Sequence, residues 1–89
     1  IRWFLYDGKG TLKTENGTVL LPNDRYPLEK ETFRLYYTSL SDDQSSLKVW
    51  VEDSFGQAVE LEFSYNNDNS EKERDSSDGL FKISAKQQG

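Results

Sequence analysis

The chain has no cysteine and no histidine among its 89 residues. The first absence excludes a disulfide, a thiolate metal site and a cysteine nucleophile. The second removes the commonest general base and the commonest transition-metal ligand. Neither absence identifies a cellular compartment. Long apolar runs are missing too, and no stretch approaches the roughly 18 residues of a membrane-spanning helix. Cations are few: 11 Lys and Arg stand against 16 Asp and Glu, for a formal net charge of -5. Nucleic-acid binders displace counterions with lysine and arginine, so this balance argues against direct contact with DNA. No group of residues fixes a reaction.

What is present is alternation. Leu47, Val49 and Val51 are apolar at every second position, as are Val59, Leu61, Phe63 and Tyr65, while Glu60, Glu62 and Ser64 point the other way. This reads as a half-buried antiparallel hairpin. Placing all apolar residues on one side pairs Val51 with Val59, Val49 with Leu61 and Leu47 with Phe63, because a one-residue slip would set Val51 against Glu60. Ser54, Phe55 and Gly56 are then a three-residue loop with glycine at its left-handed position. On the outer face Lys48 lies opposite Glu62, an expected ion pair, and Trp50 lies opposite Glu60.

The remaining segments fit the same class. Ile1 to Asp7 is rich in strand-favouring residues and ends at Gly8, Lys9 and Gly10. A chain that opens inside a strand predicts residues missing upstream. Thr11–Thr14 and Thr18–Leu21 should pair around Asn16 and Gly17. A two-residue loop sets Leu12 opposite Leu21, and a three-residue loop sets it opposite Leu20. Pro22 to Leu28 stops strands and reads as a crossing connection between sheets. Thr32 to Ser39 is a central strand, with Phe33, Leu35 and Tyr37 on one face and Arg34, Tyr36 and Thr38 on the other. Residues 68–79 form an acidic stretch expected to be mobile, and 80–89 a short edge strand and tail. One domain of this length buries about 60 to 65% of its unfolded surface.

Candidate sites are few. Asp42 and Asp43, or Asp68 with Asn69, Ser70 and Glu71, lack the ligand spacing of a calcium loop and read as solvated acids. Asn16, Gly17 and Thr18 match a glycosylation acceptor, but a hairpin tip needs the same residues. Glu60 and Glu62 form a carboxylate pair on an open face with nothing to raise one pKa, so a glycosidase reading is weak. Tyr36 and Trp50, exposed together on one face, would offer a flat platform for a sugar or a protein. Core packing of a second layer is the competing account. Arg25 and Tyr26 in the crossing loop are partner-binding candidates that equally serve to pin the loop. The segment Ile1 to Tyr6, if unpaired, would accept a strand from another chain.

Several strings are specific. Tyr6 to Leu12 (YDGKGTL), Gly17 to Val19, Pro22 to Leu28 (PNDRYPL), Lys30 to Ser39 (KETFRLYYTS) and Glu52 to Gln57 (EDSFGQ) together resemble the TraQ family, small proteins of Bacteroides-type conjugative transposons. The resemblance covers about residues 1–67. It implies an all-β, immunoglobulin-like antiparallel sandwich, here lacking N-terminal strands, in an exported protein anchored by an upstream lipidated cysteine. It implies a structural or interaction role in conjugative transfer, with other transfer proteins as partners. A carbohydrate-binding or adhesive module is the alternative. No enzymatic activity, catalytic residue, cofactor or metal attaches to the resemblance.

Overall fold

A computed structural model describes residues 2–8, 10–39, 44–66 and 71–87. Nine strands form among them: β1 (Trp3–Gly8), β2 (Gly10–Thr14), β3 (Val19–Leu20), β4 (Tyr26–Pro27), β5 (Thr32–Ser39), β6 (Gln44–Glu52), β7 (Ala58–Asn66), β8 (Glu71–Asp75) and β9 (Lys82–Gln87). They build two sheets, ordered β4-β1-β6-β7 and β3-β2-β5-β9-β8. The two inner faces supply one core, a β-sandwich whose alternate residues point inward.

The β6–β7 register is the one that apolar alternation demands, with Leu47 opposite Phe63, Val49 opposite Leu61 and Val51 opposite Val59. Asp53 N donates to Gln57 O, which closes the three-residue tip, and Gly56 has a φ of 82°. In the β2–β3 hairpin Leu12 lies opposite Leu20, so the loop is Glu15, Asn16 and Gly17. β5 is central, flanked by β2 and β9. Leu35 and Tyr37 are buried on its inner face, and Arg34 and Thr38 are exposed on its outer face.

Buried tyrosines join the layers. The Tyr6 hydroxyl donates to Leu20 O at 3.0 Å, from β1 to β3, and the Tyr65 hydroxyl donates to Ala85 O, from β7 to β9. Burial raises the Tyr6 phenol above its ordinary value. The Tyr37 and Tyr65 ring centroids lie 6.3 Å apart between the sheets. Tyr6 and Tyr65 therefore each contribute apolar area and a hydrogen bond across the sandwich.

The C-terminal third corrects the expectation from composition. The acidic stretch is not a free tether over its described part, because β8 pairs along its length with β9. Lys72 and Arg74 do the work usually given to apolar residues. Their charged groups sit 5.2 Å from the Tyr65 ring centroid and 5.7 Å from that of Phe63, so their stems lie along the side of the core. Glu71, Glu73 and Asp75 alternate outward. β9 is an interior strand rather than an edge. It runs parallel to β5, so that sheet is mixed rather than purely antiparallel. Its inner face carries only Ile83 and Ala85 as buried apolar residues, a short apolar pattern for an interior strand.

Candidate interaction surfaces

The crossing loop is stitched down at both ends and in the middle. Asn23 N donates to Tyr6 O at 2.9 Å, Leu28 N donates to Arg2 O at 2.8 Å, and β4 pairs with β1 between them. The expected open edge at the first strand is thereby corrected: the loop occupies its outward backbone groups, and β6 occupies the other side. Tyr26 is a pin. Its hydroxyl accepts from Leu21 N at 2.7 Å, and its ring lies 5.8 Å from that of Phe4. Arg25 is exposed and stacks its guanidinium 4.3 Å from the Trp3 ring centroid.

Tyr36 and Trp50 do not share a platform. Tyr36 alternates with buried Leu35 and Tyr37 in one sheet, and Trp50 alternates with buried Val49 and Val51 in the other. They therefore occupy opposite outer faces. Trp50 instead lies opposite Leu5, with Trp3 two positions along β1, so both tryptophans of the chain share one half-buried outer face with Arg25 beside them. Tyr36 lies in register between Lys13 and Lys86 on the other face.

Glu60 and Glu62 are exposed on the same open face as Trp50. Lys48 reaches Glu60 diagonally at 3.8 Å, correcting the pair expected with Glu62 directly opposite. Nothing encloses the two carboxylates as a glycosidic bond would require. Among the described residues no three His, Cys, Asp or Glu come together to hold a metal. Asp42, Asp43, Asp68, Asn69 and Ser70 lie outside the described residues. Asn16 is at a hairpin tip, where its side-chain oxygen accepts from Thr18 Oγ1 at 2.9 Å.

One end of the sandwich, where β1 begins, gathers the β2–β3, β4–β5, β6–β7 and β8–β9 connections. On one side of this end a cleft of about 460 Å³ opens over Phe4, Leu20, Tyr26 and Phe33, with Glu15, Glu29, Lys30 and Arg34 among its rim residues. On the other side two apolar side chains stand in solvent, Phe55 at 88% exposure and Leu80 at 62%. Both tips are braced by side-chain hydrogen bonds. Asp53 Oδ1 accepts from Phe55 N and Gln57 N, each at 2.8 Å. Asp78 Oδ1 accepts from Ser76 Oγ at 2.7 Å and from Leu80 N at 3.2 Å. Arg2 ties the tips together, donating to Glu52 O and to the Asp78 carboxylate while lying 4.7 Å over the Phe81 ring. Sequence reading placed Phe55 only as a turn residue. The signal was there: a tight glycine turn leaves its neighbour no core to enter.

Residues 1–68 match the TraQ conjugal transfer protein family. The chain belongs to that family. Its TraQ region accounts for β1 to β7, and β8 and β9 follow the matched residues. Three solved structures are similar. A lipoprotein from Bacteroides thetaiotaomicron is 57% identical with a TM-score of 0.62, over 78% of this chain and 55% of that one. A conjugative transposon lipoprotein from Bacteroides eggerthii is 48% identical with a TM-score of 0.63, over 74% and 65%. A conjugate transposon protein from Bacteroides vulgatus is 44% identical with a TM-score of 0.62, over 76% and 58%. This TraQ chain thus spans 55% to 65% of those structures. No curated protein matches it.

Proposed function

We propose that this TraQ chain is a non-enzymatic interaction module of a conjugative transfer apparatus, acting in the cell envelope through contacts with other transfer proteins. The observation that carries the reading is the family match over residues 1–68. The lipoprotein relatives support an envelope location. The acidic surface supports protein rather than DNA as the partner, since a negative chain is repelled by phosphate. The face bearing Trp3, Trp50 and Arg25 is the contact surface, because half-exposed tryptophan beside arginine is the chemistry of interface anchors.

The test is a clean deletion of the gene from the donor element, complemented with wild type or with Trp50→Ala. Transfer frequency falls on deletion, returns with wild type, and stays low with the variant although the protein is present in the envelope fraction. An unchanged frequency after deletion would overturn the role. Full rescue by Trp50→Ala would remove this face.

A further inference from the structure

One side of the end at which β1 begins carries an aromatic-floored cleft and the other a projecting aromatic, and we propose that two copies of the chain dock end to end, the Phe55 of each seated in the cleft of the other. Because prong and cleft share one end, a two-fold axis through that end makes both contacts at once, as an isologous pair requires. The fit is chemical as well as spatial. A cleft of about 460 Å³ holds a phenyl ring with room for its hairpin neighbours, and the floor rings of Phe4, Tyr26 and Phe33 already pair at 5.8 and 5.4 Å. An added ring extends that cluster in the offset or tilted geometry aromatics favour.

Charge sets the orientation. Lys30 and Arg34 on the rim make no ion pair among the described residues, and Phe55 rises between Glu52 and Asp53 on one side and Gln57 on the other. Glu15 and Glu29 share the rim, so the match selects the pose in which the tip carboxylates lie against Lys30 and Arg34. The tip is already held in shape by the Asp53 hydrogen bonds, so little freedom is lost on docking. A bilayer is a poorer occupant, because the acidic flank of the tip is repelled by anionic headgroups. The cross-section of 22 by 19 Å limits contact to roughly 400 Å² per copy, the class of weak and reversible pairs.

Sedimentation velocity of the chain, run from about 10 μM to about 1 mM, reads the proposal directly. Wild type shifts from monomer to dimer across that range. Phe55→Ser, with an unchanged circular dichroism spectrum, weakens the pair by about thirtyfold or more, the loss expected for a hot-spot anchor. Lys30→Glu combined with Arg34→Glu weakens it as well. A wild type that stays monomeric throughout overturns the proposal, as does a Phe55→Ser variant that dimerises like wild type. Phe55-dependent binding to phosphatidylethanolamine and phosphatidylglycerol vesicles without self-association also overturns it, in favour of a membrane contact.

Discussion

Arg2 and Asp78, 76 positions apart, meet in an ion pair at the end of the sandwich and join the first strand to the β8–β9 turn. The Ser76 hydroxyl is the main group holding the Asp78 carboxyl down to about 2, with Leu80 N and Arg2 adding to it. A depressed carboxylate contributes stability that is present above its unfolded pKa and lost as pH falls through the folded one. The gap in urea midpoint between wild type and Asp78→Asn should therefore be full above about pH 4, persist near pH 3 and close below about pH 2. A gap that closes already at about pH 4 would show that the carboxylate is not held.

Gly10 is the glycine the fold depends on. Its φ is 149°, and a Cβ there would lie 2.2 Å from Thr38 O, a backbone atom fixed in the β2–β5 ladder. Gly17 and Gly56 also have positive φ but open space around them. Gly10→Ala should cost on the order of 2–4 kcal/mol, against about 1 kcal/mol for Gly17→Ala. Equal losses in urea unfolding would contradict the close approach. The larger figure is a substantial part of the roughly 4–13 kcal/mol that holds together a domain of this size.

Where side chains alternate with a sharp polar contrast, the architecture was readable beforehand. The β6–β7 register follows from keeping the apolar alternates of both strands on one side, since a one-residue slip would set Val51 against Glu60, and the centrality of β5 follows from bulky groups on both of its faces. Three things were hidden for separate reasons. β8 shows no apolar residue because Lys72 and Arg74 shield the core with their stems. The separation of Tyr36 from Trp50 depends on which sheet each strand joins, and alternation along a strand reports a face but not a layer. The closed edge of β1 depends on backbone hydrogen bonds from Asn23 and Leu28, which composition does not encode.

The β8 argument can be tested by removing the stems. Lys72→Ser with Arg74→Ser leaves the backbone free to pair but uncovers Phe63 and Tyr65, and it frees Ser64 O from its 2.5 Å bond to Lys72 Nζ. Hydrogen exchange should then speed up at the β8 amides first, because this edge strand has no buried apolar residue of its own to hold it. Exchange in β6 should change far less. If β8 amides stay as protected as before, the ladder with β9 suffices and the stems are incidental.

Tyr26 holds the crossing loop to the sandwich while Arg25 stacks on Trp3 in solvent, and paired variants separate a fold role from a contact role. Tyr26→Phe strips the acceptor from Leu21 N while keeping the ring against Phe4, so it should lower stability by about 0.5–1.5 kcal/mol. Arg25→Ala removes an exposed stack on Trp3, worth about 0.5–1 kcal/mol at such a site, and uncovers the indole. Transfer frequency measured beside urea unfolding distinguishes the two consequences. If the Trp3 and Trp50 face is the contact surface, Arg25→Ala reduces transfer more than its stability loss explains, whereas Tyr26→Phe reduces transfer only as far as it unfolds the chain. The reverse ranking would move the contact from the sheet face into the loop itself.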